Sequence, residues 1–230
     1  MLAPRHVFLL FFILLSALLG IFLTFPGLDL QVQSYFYTHE TGFFLKDEWL
    51  AMLVYHLIPT MVKIFVSVTI ICFAYNLIRK KNLLGIDRKV FIFLIGSLAI
   101  GPGLIVHTGF KEHWGRARPD AIREFGGQKT YTHFYQPTDQ CEKNCSFVSG
   151  HVASAFFFVA PALLIRDRRK RRMAIAAAFL FGCFASYGRI IQGKHFLSDS
   201  LFAGWITWAV IWGMFALTKP NNSAKTIDKA

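Results

Sequence analysis

Acidic residues are scarce in this chain. Thirteen Asp and Glu stand against 25 Lys and Arg in 230 residues, for a formal net charge of +12. In a soluble protein that excess would point to nucleic acid, but here the cations sit in short loops between apolar runs, where they act as topology signals. Cysteine is equally thin. Cys72 and Cys183 fall inside apolar runs, and Cys141 and Cys145 form one close pair in CEKNC, too few thiols for a zinc site but enough for a local disulfide in an oxidising compartment. No small-residue cleavage site follows the first apolar run, so that run reads as an uncleaved anchor. No internal repeat or low-complexity segment occurs.

What the chain has in abundance is hydrophobic sequence: 54% of residues, with a mean hydropathy of +0.44. Runs long enough to cross about 30 Å of hydrocarbon lie near 7–25, 57–78, 89–110, 147–165, 173–191 and 198–218. The expected fold is all-α: a six-transmembrane-helix bundle occupying 1–218 as a single domain, with an amphipathic or loop segment (28–49) on the outer face and a disordered cytoplasmic tail over 219–230. Arg5, the group from Arg79 to Lys89, RDRRKRR at 166–172, and Lys219, Lys225 and Lys229 all fall on one side of this bundle. The positive-inside rule makes that side cytoplasmic, with both termini.

Three polar clusters interrupt the apolar pattern, and the loop charges place them all on the opposite, outer side. They are GFKEHWGRARP after the third run, NCSFVSGHVAS at the fourth, and YGRIIQGKHFLSDS between the fifth and sixth. Ionisable groups at membrane depth normally face a bundle interior and are paired, so Lys111, Arg118 and Arg189 call for an anion between them. Guanidinium forks suit phosphate oxygens. Ser149 and Gly150, opening a helix, add backbone N–H donors. His195 and Asp199 are four apart and share a helix face, so the carboxylate can hold one ring nitrogen and leave the other as a base able to attack phosphorus. His151 can supply the proton an alkoxide leaving group needs. Arg116 and Lys194 are either contacts to a bulky headgroup or solvated loop charges. His107 and His113 lack a carboxylate at ligand spacing, so no metal and no cofactor is assigned.

These residues carry a resemblance. KEHWGRARP (111–119), SGH (149–151) and RIIQGKHFLSD (189–199) are similar to the three-part signature of the type-2 phosphatidic acid phosphatase superfamily, which includes lipid phosphatases and vanadium haloperoxidases. The outer loop and the GKHFLSD turn resemble bacterial lipid A phosphatases. The resemblance implies a metal-independent membrane lipid phosphatase of the bacterial inner membrane with its site on the periplasmic face. Within it His195 would be the nucleophile, Asp199 its orienting partner and His151 the general acid and base. Lys111, Arg118, Ser149, Gly150 and Arg189 would hold the phosphate. Two departures stand out: Val148 replaces a frequent proline, and Gly188 a frequent serine. The expected partner is a membrane lipid within the bilayer, with lipid A first and undecaprenyl pyrophosphate or phosphatidylglycerol phosphate as alternatives. Lipid phosphotransfer, or a non-enzymatic anion-binding protein or transporter, would use the same cations, while soluble halide oxidation fits poorly with so apolar a chain.

Overall fold

A computed structural model of the chain describes residues 4–220. The first helix, α1 (Pro4–Thr24), is followed by a short helix, α2 (Leu28–Ser34), bent 76° away from it. A two-residue hairpin, β1 (Tyr37–Thr38) paired antiparallel with β2 (Gly42–Phe43), then leads into the 31-residue α3 (Trp49–Arg79). The interfacial segment is thus part helix and part hairpin. Helix α4 (Arg88–Leu98) starts at Asp87, whose side chain accepts the Val90 N–H at 2.8 Å, and continues as a π-helix from Ala99 to Lys111. After the long outer loop come α5 (Gly150–Phe156) and α6 (Val159–Leu163), broken at Phe157 and Phe158. Helix α7 (Arg168–Ile191) is capped by Asp167, which accepts from Lys170 N–H at 2.7 Å, and α8 (Leu197–Thr218) closes the bundle.

Among the described residues four helices are long and apolar enough to span a membrane, or five if the bent pair α1–α2 is one span, against the six expected. The difference lies mainly in the run 147–165. Its helical part covers Gly150–Leu163, which at about 1.5 Å per residue reaches roughly 21 Å, short of the hydrocarbon core. Its apolar residues are spent on the bundle interior instead. Val152, Ala153, Ala155, Phe157 and Ala160 are fully buried, and α5 packs against α3, α7 and α8. Phe156 fits between Gly182 of α7 and Gly204 of α8, where an added Cβ would come within 2.6 and 2.9 Å of its ring. By contrast, Ile64, Ile71, Leu77 and Ile78 on α3 are exposed, which is stable only against lipid.

The apolar interior has three parts. One, around Val54, Val106, Phe147, Val152, Ala185 and Ala203, lies under the polar clusters, and a second, around Val90, Phe93, Phe157, Leu163 and Ile211, fills the end carrying the basic loops. The third belongs to the outer loops: Phe43 from the hairpin packs with Ala117, Ile122, Phe125 and Phe196 and forms a roof over the end of the bundle where the clusters meet. In the expected tail, Lys219 is left-handed (φ 43°) after the last turn of α8. Positions 221–230, with Lys225 and Lys229, and the side chain of Arg5 lie outside the described residues.

Candidate active site

The three clusters are stitched together by backbone hydrogen bonds. Cys145 N–H donates to the Lys111 carbonyl (3.1 Å), Ser146 N–H to Arg116 (2.9 Å), Ser149 N–H to Asp199 (3.3 Å) and Asp120 N–H to Gly193 (2.9 Å). Positions far apart in sequence therefore share one end of the bundle, the end away from the basic loops at 79–89 and 166–172. Two glycines make the turns. Gly115 (φ +70°) carries the chain from the π-helix into Arg116, with the Thr138 carbonyl lying 1.5 Å from where a Cβ would stand. Gly193 (φ +64°) turns the chain after α7 so that His195 N–H reaches the Arg189 carbonyl (3.3 Å).

His195 is 1% exposed. Its Nδ1 lies 2.8 Å from the Ser146 carbonyl and 3.7 Å from Asp199 Oδ2. A carbonyl only accepts, so Nδ1 carries the proton and Nε2 is the free base. Asp199 stands beside Nδ1 as the spacing suggests, and the Ser146 carbonyl, which the sequence does not reveal, is the nearer partner. Asp199 acts in addition through its charge and through Ser146, whose hydroxyl donates to Oδ2. Oδ2 also accepts the Phe196 N–H at 2.8 Å, because helix entry puts Asp199 three residues past the N-cap, where a carboxylate can turn back on the helix start. Burial is the main cause that drives the His195 imidazole down to about 3, and the Asp199 hydrogen bond and charge offset it only in part.

Arg116 is a correction. Neither a headgroup contact nor a solvated charge, it is wholly buried, with NH2 on Asp29 (2.9 Å), NH1 on Asp199 (2.6 Å) and Ser198 (2.8 Å), and Nε on the Thr132 carbonyl (2.9 Å). Its guanidinium also stacks 4.2 Å above the Phe196 ring. Burial works against its charge, but the Asp199 and Asp29 carboxylates overcome that and raise its affinity for the proton. Lys194 is ion-paired with Asp120 at a half-exposed rim.

Sequence reasoning missed Asp29. This acid in the interfacial helix α2 accepts from Ser198 N–H (2.9 Å) and Ser198 Oγ as well as from Arg116, and one helical turn on, Gln33 donates to the His195 carbonyl (2.8 Å). Asp29 and Gln33, four apart on one face of this short helix and both buried, carry these contacts, and their spacing was the available signal. Ser146, Asn144 and Gln192 were missed as well. Gln192 Oε1 accepts from Arg189 NH1, and the Asn144 side chain from Lys111 Nζ.

Lys111, Ser149 and Arg189 are buried, and Arg118, Gly150 and His151 are half-buried. A Cβ on Gly150 would stand 3.8 Å from Lys111 Cδ, so the SGH stretch abuts the lysine. Tyr55 of α3 joins the rest: its ring stacks on His151 (5.4 Å between centroids), its carbonyl lies 3.3 Å from His151 Nε2, and Arg189 Cζ sits 5.6 Å from its centroid. The charges of Arg118 and Arg189 act on both His151 and His195. Ser149 Oγ and Arg189 Nε are buried without a hydrogen-bond partner among the described residues. Orphaned donors beside several cations are the arrangement an oxyanion would complete. Among the described residues no three His, Cys, Asp or Glu side chains are grouped to hold a metal ion.

Gly188 has a steric reason to lack a side chain. A Cβ there would meet Val54 Cγ2 at 2.7 Å, so the glycine lets α7 close on α3 next to Arg189. Gly188→Ser should therefore destabilise the protein by about 1–3 kcal/mol, as overpacking does, which thermal unfolding in detergent would register. An unchanged midpoint would show that α3 and α7 separate without cost.

The PAP2 superfamily profile matches residues 89–223. The chain belongs to that superfamily. Curated relatives include a lipid A 4'-phosphatase of Francisella tularensis subsp. novicida (strain U112), 35% identical over 85% of this chain and 88% of the relative. Another, from Rhizobium etli, is 30% identical over 96% of this chain and 91% of its own length. A crystal structure described as the first transmembrane PAP2 type phosphatidylglycerolphosphate phosphatase, from Bacillus subtilis, superposes with a TM-score of 0.52 over 95% of both chains at 20% identity. This PAP2 protein is a membrane lipid phosphatase of multi-pass, mostly helical architecture.

Proposed function

We propose that this PAP2 phosphatase removes the 4'-phosphate of lipid A at the periplasmic face of the bacterial inner membrane through a phosphohistidine. The observation carrying the chemistry is the His195 hydrogen bond to the Ser146 carbonyl, which leaves Nε2 unprotonated within the field of Arg189 and Arg118. Nε2 attacks phosphorus, the P–O ester bond breaks, and the departing sugar oxygen takes a proton from His151. Because Nε2–H of His151 donates to the Tyr55 carbonyl, Nδ1 is the nitrogen that exchanges this proton: it takes the proton up from water when the bound phosphate dianion offsets the Arg189 and Arg118 charges, and the imidazolium then gives it to the leaving oxygen. His151 then removes a proton from water, which attacks the phosphohistidine, releasing phosphate and restoring His195. The cations, with the Ser149 hydroxyl and the Gly150 end of α5, stabilise the charge on the non-bridging oxygens throughout.

The substrate rests on the relatives named lipid A 4'-phosphatase, which match most of the chain. The outer face is supported by the basic loops at the opposite helix ends and by the Cys141–Cys145 disulfide. A panel of lipid A, phosphatidylglycerol phosphate and undecaprenyl pyrophosphate, incubated with purified protein and a chelator, tests the proposal. Mass spectrometry should find free phosphate and lipid A lacking its 4'-phosphate. Preferred release from another lipid would replace the substrate, and a newly phosphorylated acceptor lipid would replace hydrolysis by phosphotransfer.

A further inference from the structure

The outer loop between the first two motifs ends in a five-residue ring, CEKNC, closed by the disulfide between Cys141 and Cys145 (Cα to Cα 5.6 Å). The ring touches the site at several points. Asn144 Oδ1 accepts from Lys111 Nζ. The Asn144 carbonyl accepts from both Arg118 Nε (3.2 Å) and Arg118 NH2 (2.8 Å). Cys145 N–H donates to the Lys111 carbonyl, and the next residue, Ser146, gives its carbonyl to His195 and its hydroxyl to Asp199. Asn144 is left-handed (φ 53°), a conformation that asparagine tolerates better than most residues and that aims its amide and its carbonyl at two different cations.

Lys111 and Arg118 are like charges held side by side, and a flexible lysine would swing away from an arginine unless something fixed it. Asn144 does so with neutral oxygens. A neutral acceptor orients the cations while leaving their charge for an incoming dianion, whereas a carboxylate at the same point would orient and neutralise them together. Lysine has three donors and arginine five, so both can keep Asn144 and still bind phosphate.

We infer that Asn144 is a positioning residue for the anion-binding cations Lys111 and Arg118, and that the Cys141–Cys145 ring is the staple that holds it there. The inference rests on the proposed reading of those cations as the phosphate cradle. It assigns the disulfide a part in the affinity of the site for phosphate as well as in the loop.

The test uses the full-length protein in detergent and inorganic phosphate as a competitive inhibitor of lipid hydrolysis. Asn144→Gly keeps the left-handed backbone and its carbonyl and deletes the side-chain amide, Oδ1 included. It should raise the phosphate Ki and the KM about tenfold, the scale of one hydrogen bond to a charged group, with a smaller change in kcat. Asn144→Asp keeps the shape and adds the charge, and should raise both further. C141S/C145S should raise Ki at least as much as Asn144→Gly, and combining the two should give less than the product of their effects, since both act through one loop. Asn144 is exposed, so unchanged unfolding midpoints for its two variants would separate positioning from misfolding. Lys111→Ala and Arg118→Ala serve as the reference. If they leave Ki unchanged, the cradle reading fails. If they raise Ki while Asn144→Gly, Asn144→Asp and C141S/C145S leave it at the wild-type value, the cradle stands and the inference is overturned. Fully multiplicative effects of Asn144→Gly and C141S/C145S would also overturn the staple.

Discussion

His195→Ala should reduce phosphate release by at least about a thousandfold, the scale on which removal of a nucleophile leaves only binding and charge stabilisation. The loss should fall on kcat, because the imidazole is needed for bond formation and the cations still bind the ester. The midpoint of unfolding should fall modestly, since truncating the buried ring leaves a cavity and the Ser146 carbonyl without its donor, and the kcat loss is therefore read well below that midpoint. Wild type, trapped by alkaline quenching during turnover of labelled lipid, should carry label on a residue stable to base and labile to acid, as a phosphoramidate is, and His195→Ala should not. His151→Ala should lose turnover and acquire label slowly, but the label it acquires should persist, because His151 serves both formation and hydrolysis of the intermediate and its own ring is not attacked. Residual activity in His195→Ala within tenfold of wild type would remove the nucleophile. The same ring sets a pH dependence. Its folded value is about 3 against 6.5 when unfolded, so it stays an unprotonated base through mildly acidic pH, and an acid limb of kcat/KM above pH 5 would belong to another group. The unfolded chain binds the proton first. Stability therefore has no contribution from this ring above about pH 6.5 and falls as pH drops from there towards 3.

The parts of this site visible in the chain alone were those whose physics is local. A histidine and an aspartate four apart, an arginine six before the histidine and a glycine opening a helix can be read from spacing, and the apolar runs from length. The supporting residues could not be read this way. Asp29 and Arg116 meet across 87 positions, and His195 finds the Ser146 carbonyl across 49. No periodicity encodes such a pairing, and a backbone carbonyl has no letter in a sequence. Arg116 and Arg118 also look alike two residues apart, yet one is sealed under Phe196 and Tyr131 while the other stays half-exposed. What separates them is the fold of the long loop over them, built on Ile122 and Phe125 and on the left-handed Gly115. The break in the fourth apolar run has the same origin. Hydropathy reports how apolar a stretch is and does not distinguish a lipid-facing span from a short helix enclosed by α3, α7 and α8.

Arg116→Ala should destabilise the protein by about 3–5 kcal/mol, the cost of breaking a buried ion pair from one side. Deleting the guanidinium leaves Asp29 and Asp199, 1% and 0% exposed, with no cation between them. One of the two must then take a proton or draw in water. The Asp29 side can be relieved: Asp29→Asn combined with Arg116→Met removes one carboxylate with the cation and fills part of the volume, so the pair should cost less than the sum of the single changes. Arg116→Lys should rescue little, since one ammonium cannot reach Asp29, Asp199, Ser198 and the Thr132 carbonyl from a single position. Thermal unfolding in detergent measures each variant, and additivity in the double variant would separate Asp29 from the network. Activity supplies the second readout. Because Arg116 and Ser146 hold the two oxygens of Asp199, Arg116→Lys assayed well below its unfolding midpoint should still lose kcat through a misdirected His195, while phosphate Ki stays near wild type. A change in Ki with kcat intact would instead place Arg116 among the groups that meet the anion.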